Sequence, residues 1–308
     1  MTDTVILHHH DPSPYAEKIR RLFGLKGLSW ASVQIPMVMP KPDLTALTGG
    51  YRGTPVLQIG ADIYCDTRLI AAEIETRYPE PAACAMAPFS IFSRQHWSDD
   101  AVFPQAAALA LYENAALLPP ELSKDRADYF QNLDFAAFEK DAPYFREQVR
   151  AHLALAEREL ALGRAFLGGT RPTWDDMGLW MITWMIEGNV ASLHDCLDGL
   201  DALTGWRARM KAVGTGTRTD ISAAEAHDMA AGTKPVRRHD FVPTIHTAGY
   251  RAGQPVHVAP HDHPGDRVEG TLRALGPDRI TLTRQADAFG EIDVHFPRIG
   301  YRLTALSP

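Results

Sequence analysis

Ser13 stands directly before Pro14, and from Tyr15 onward the apolar residues Ile19, Leu22 and Phe23 recur at helical spacing. A serine in that place is an N-cap, with proline in the favoured first helical position. Its hydroxyl and the unpaired N–H groups behind it make a donor cluster suited to an anion. A second helix opens at Asp66-Thr67, ahead of Leu69, Ile70, Ile74 and Tyr78. Plain capping by either residue explains the pair, and so does a hydroxyl and N–H that hold a carboxylate. His8-His9-His10 alternate sides along a strand and do not share one metal easily. His257, His261 and His263 lie in a Pro/Gly turn region without a complete ligand set, so no metal site is expected. Cys65, Cys84 and Cys196 show no CxxC spacing, which implies neither a disulfide framework nor a cysteine zinc site. Cys65 reads as a small buried hydrophobe. Trp97, Tyr112, Trp180 and Trp184 fit a helical core as well as the wall of an apolar pocket.

The elements that position these residues fall into three regions of a 308-residue chain. In residues 1–83, Thr4–Leu7 and Val33/Ile35 read as strands around the first helix. A Pro-rich connection follows from Pro36 to Gly50, then two strands joined at Gly60-Ala61, then the second helix. That order is a small α/β unit. Residues 84–232 show helical spacing in Ile91–Tyr112, Tyr144–Leu162, Trp174–Ile186 and Leu200–Val213, with a capping box at Thr173-Trp-Asp-Asp176. The loop Gly214–Thr219 ends this bundle, and Ser222–Ala231 reads as one more helix. Residues 233–308 alternate with period two at Val256/Val258, Val268–Leu272, Ile280/Leu282 and Ile292/Val294/Phe296, as in a small antiparallel sandwich or barrel. The fold class expected is therefore α+β and multi-domain: an α/β domain, a helical bundle and a small antiparallel β domain. Composition is that of a globular protein, 45% hydrophobic and 22% charged. A net charge of −7 with dispersed basic residues disfavours nucleic acid. No apolar run reaches membrane length and the N-terminus lacks signal-peptide features, so a cytoplasmic protein is expected.

Four of these segments, in order, resemble the glutathione transferase superfamily, whose members join a thioredoxin-like domain to an all-helical one. Ser13-Pro-Tyr-Ala-Glu-Lys-Ile-Arg20 is similar to the family's Cys/Ser-Pro-aromatic-Ala motif, and Thr54-Pro-Val-Leu57 to its cis-proline strand. Asp66-Thr67 stands where the family usually has Glu-Ser, and Pro172-Thr-Trp-Asp-Asp176 resembles the capping box of its sixth helix. The resemblance covers about 230 residues, and the β-rich region 233–308 has no counterpart in the usual transferase.

The resemblance implies glutathione as co-substrate. Ser13 would stabilise its thiolate, where a cysteine would favour mixed-disulfide reduction. Pro55 would be cis, and the backbone of Thr54 would pair with the cysteinyl unit as an added strand. Thr67 would hold the γ-glutamyl carboxylate and Asp66 the α-amino group. Lys41 reads as a solvated loop lysine, with pairing to the glycyl carboxylate as the other option; Arg52 is either a carboxylate ligand or a crowding residue. The function implied is attack of the activated thiol on an electrophilic small molecule, by a homodimer. Two alternatives stay open: a non-catalytic binding or interaction protein on this fold, and a glutathione-dependent isomerase or dehalogenase.

Overall fold

Strand β1 (Val5–His9) is buried along its whole length and lies parallel to β2 (Ser29–Gln34), with helix α1 (Pro14–Leu25) between them in sequence. A computed structural model describes residues 4–84, 89–129, 137–236, 249–263, 265–286 and 289–306. The β1 strand runs two residues past the apolar segment because His8 and His9 find buried partners, Gln58 Oε1 at 2.7 Å and Ser32 Oγ at 3.0 Å. The Pro-rich connection holds a short helix, α2 (Pro42–Thr48), started by Pro42 and stopped by Gly49 in the left-handed conformation (φ 81°). Antiparallel β3 (Val56–Ile59) and β4 (Asp62–Cys65) follow, then α3 (Thr67–Arg77).

The chain forms two compact units. The first comprises Met1–Ala16, Ser29–Ile74 and Thr217–Pro308, the second Glu17–Leu28 and Glu75–Gly216. Among the described residues, the first unit is built on a ten-stranded sheet of order β10-β6-β7-β8-β9-β4-β3-β1-β2-β5. Two outcomes differ from the sequence reading. The loop after Gly214 contains a strand, β5 (Thr217–Asp220), parallel to β2; its polar residues suit an exposed sheet edge. After it comes α10 (Ala223–Ala231), capped by Ser222. The segment 233–308, expected as a separate domain, instead continues the thioredoxin-like sheet through β6 (Pro255–Pro260), β7 (Val268–Leu275), β8 (Arg279–Ala286), β9 (Gly290–Pro297) and β10 (Tyr301–Ala305). The physical reason is the open edge of β4, whose backbone groups need a partner. Strand β9 supplies it in parallel, with Asp62 opposite Asp293 and Tyr64 opposite His295.

Polar side chains fix that seam. His295 bonds Asp62 through Nε2 (2.9 Å) and Thr281 through Nδ1 (3.0 Å), while Tyr64 stacks on its ring at 4.5 Å. Burial lowers the pKa of His295 despite its bond to Asp62. Arg279 Nη2 donates to Glu73 Oε2 at 2.9 Å. One apolar core joins Leu44, Leu47, Val56 and Ile63 to Val256, Leu272, Leu282 and Val294 of the tail.

The second unit contains α4 (Phe89–His96), a π-helical stretch Trp97–Val102, α5 (Phe103–Glu113), α6 (Pro120–Tyr129), α7 (Phe138–Leu160), α8 (Trp174–Asn189), a 3₁₀ turn Ala191–Leu197 and α9 (Asp201–Val213). The Ile91–Tyr112 periodicity is thus not one regular helix. Pro104 has no N–H to donate one turn back, and the π stretch lies just before it. Asp99 in that stretch meets Lys18 Nζ at 2.8 Å, a buried ion pair. The capping box forms as expected: the Thr173 N–H reaches Asp176 Oδ2 at 2.8 Å. Asp176, fully buried, also accepts from Leu167 N and Trp206 Nε1, both at 2.8 Å. Among the described residues, no helix is long and apolar enough to cross a membrane.

Candidate functional site

Register brings the predicted site residues to one end of the first unit's sheet. His8 of β1 lies opposite Val56 of β3, and Val56 opposite Cys65 of β4. The end of β1, the start of β3 and the end of β4 therefore coincide. Ser13, Thr54-Pro55 and Asp66-Thr67 follow or precede those three strand ends within a few residues.

Ser13 is buried, and its Oγ accepts from the Ala16 N–H at 3.2 Å, so it caps α1 as expected. Accepting that bond uses a lone pair and leaves the hydroxyl proton to donate elsewhere. The Thr54–Pro55 peptide is cis. Lys41 corrects the expectation of a solvated loop side chain: it is buried, and its Nζ donates to Thr54 Oγ1 at 3.0 Å and to the Arg52 carbonyl at 3.1 Å. A lysine is tolerated there because two acceptors satisfy its ammonium. His10 is also buried. Burial first, and Asp66 second, push the Cys65 thiol well above its ordinary range, which leaves it protonated and unreactive.

Asp66 takes a left-handed backbone conformation (φ 75°), the only non-glycine to do so among the described residues. Aspartate is one of the few residues that adopts it readily. Its carboxylate accepts from Arg68 three times: backbone N to Oδ1 at 2.8 Å, Nε to Oδ1 at 3.0 Å and Nη2 to Oδ2 at 2.6 Å. Tyr301 Oη donates to Oδ2 at 3.2 Å and lies 3.2 Å from Tyr51 Oη. Thr67, buried, opens α3 beside this cluster. Sequence reasoning missed Arg68, Tyr51 and Tyr301. Arg68 carried a signal, the spacing of two from a capping acid; Tyr301, 235 residues away, carried none.

The comparisons with known proteins agree with this fold. Residues 7–82 match the N-terminal domain family of glutathione S-transferases. A GST-like protein from Pseudomonas syringae is 33% identical with a TM-score of 0.81, covering 99% of this chain and 100% of its own, tail included. A glutathione S-transferase of Ceriporiopsis subvermispora, solved in complex with glutathione, shares the fold at 13% identity and a TM-score of 0.55, covering 68% of this chain and 98% of its own. A β-etherase from Sphingobium does so at 15% identity and a TM-score of 0.53, covering 68% of this chain and 95% of its own. No curated protein matches the sequence. A sheet end that gathers a helix-capping serine, a cis-proline and an acid–threonine helix start, together with full-length similarity to the Pseudomonas protein, places this chain in the glutathione transferase superfamily.

Proposed function

We propose that this chain binds glutathione at the end of its sheet and activates the thiol for attack on an electrophilic small molecule. One observation carries the reading: β1, β3 and β4 are in register, so Ser13, Thr54-Pro55 and Asp66-Thr67 sit at one sheet end. The cysteinyl backbone would pair with Thr54, beside the cis peptide. The γ-glutamyl carboxylate would meet the Thr67 hydroxyl and the first N–H groups of α3. Ser13 would donate to the sulfur, helped by the positive end of α1. The thiol proton leaves to water; the sulfur then forms the new C–S bond as the electrophile's leaving group departs with its electron pair. We further propose that the enzyme works as a homodimer.

A second reading, a binding protein without catalysis, is favoured by the Asp66 carboxylate, which already has four internal partners. Calorimetric titration with reduced glutathione up to millimolar concentration tests both. Saturable binding that weakens in Thr67→Ala supports the site. Conjugation that disappears in Ser13→Ala while binding persists supports the enzyme. Binding without turnover on conjugation, maleyl-isomerisation and dehalogenation substrates leaves the binding protein.

A further inference from the structure

A carboxylate offers about four lone-pair positions, and the chain fills all those of Asp66 from within. Three partners belong to Arg68, two residues along, and act as a fork plus a backbone bond. The fourth is different in kind: a neutral hydroxyl, at the longest distance of the four, carried by the tail strand β10. Tyr301 has a second partner in the Tyr51 hydroxyl. Burial, with Tyr51 and Asp66 adding to it, raises the phenol pKa of Tyr301 well above its ordinary value, so it keeps its proton. The preceding Gly300 (φ 82°) lets the tail press close, since a Cβ there would come within 3.3 Å of the Arg68 guanidinium. Parallel pairing of β9 with β4 is what carries this turn to the same sheet end as Asp66.

We propose that Tyr301 is a built-in competitor for the ligand's ammonium group, occupying the acceptor position on Asp66 that the α-amine of a γ-glutamyl thiol must take. This rests on the glutathione reading above. Ligand entry moves the Tyr301 hydrogen bond to the Tyr51 oxygen, so the Tyr301 proton keeps an acceptor. A charged donor displaces a neutral one because its bond to the carboxylate is the stronger. The tail thereby lowers affinity for thiols that carry a free α-amine and leaves amine-free thiols untouched.

The test uses the full chain, wild type and Tyr301→Phe, titrated by calorimetry with reduced glutathione and with glutaryl-cysteinylglycine, which lacks only the amine. Removing the competitor should tighten glutathione about three- to tenfold and leave the amine-free thiol unchanged. Tyr51→Phe, which withdraws the second partner, should weaken glutathione about two- to threefold. Unchanged or weaker glutathione binding in a folded Tyr301→Phe protein overturns the competitor role and leaves the glutathione site standing; so does tighter binding in Tyr51→Phe. Absence of glutathione binding in all three proteins overturns the glutathione reading itself, and the competitor role with it.

Discussion

Two aspartates in the two units are each surrounded by donors, yet they differ in what those donors are. Asp176, in the helical unit, is fully buried and accepts from backbone N–H groups, a threonine hydroxyl and the Trp206 indole. Trp206 is fully buried, and Leu167 and Thr173 are half-buried. Asp66, at the sheet end, keeps 12% side-chain exposure, pairs with a guanidinium and shares one oxygen with a tail hydroxyl. A full set of partners therefore does not by itself mark a carboxylate as architectural. Water access and one weak, replaceable neutral donor separate a group that can exchange partners from one that cannot.

The sharpest way to break that contrast is Asp176→Ala. It should cost about 3 kcal/mol or more, because several donors lose one fully buried acceptor together, read as a lower denaturant midpoint for loss of helix. A midpoint within experimental scatter of wild type would remove Asp176 from the architectural class. Acid probes the sheet unit in another way. Burial holds the His8 imidazole at about 4, against about 6.5 when unfolded. The unfolded chain therefore takes up a proton first, so stability is whole above pH 6.5 and falls by about 3 kcal/mol towards pH 4. His8→Asn should flatten that slope in pH-resolved unfolding. Next comes Ser13→Ala, expected to cut thiol turnover roughly a hundredfold while the glutathione Kd moves little. Asp66→Asn, which keeps the backbone conformation and an acceptor oxygen, should weaken glutathione about tenfold and cost less stability than Asp176→Ala, about 1–2 kcal/mol. A stability loss like that of Asp176→Ala would erase the distinction. The smallest effect belongs to Asp175, the neighbour of Asp176, whose partner Arg94 is 60% exposed. Arg94→Ala should change the midpoint by less than about 1 kcal/mol.

Much of this was legible from local spacing. Capping chemistry located Ser13 and Thr173, and period-two alternation located β6 to β9, because both signals depend on near neighbours. Helix α2 escaped because prolines mask a seven-residue helix, and β5 because Thr-Arg-Thr-Asp has no apolar face. The joining of the tail to the first region was harder, since pairing of β4 with β9 is set by an open edge rather than by composition. A trace of it does exist: Asp62, Asp293 and His295 are charged or polar residues inside strands, all buried, and such residues need partners. Lys41 misled because loop lysines are usually solvated, and its two acceptors become visible only when the loop is folded back on Thr54.

The strand order also has a consequence for biosynthesis. The partner of β4 begins some 225 residues after β4 ends, beyond the whole helical unit. At ribosomal rates of about 5–20 residues per second, that edge waits roughly 10–45 s for its complement. A nascent sheet with a bare edge invites pairing with a neighbouring chain. Asp62 sits on that edge as a charge in an otherwise apolar strand. A charge on an open edge disfavours such pairing; once His295 is in place, the same carboxylate anchors the closed sheet.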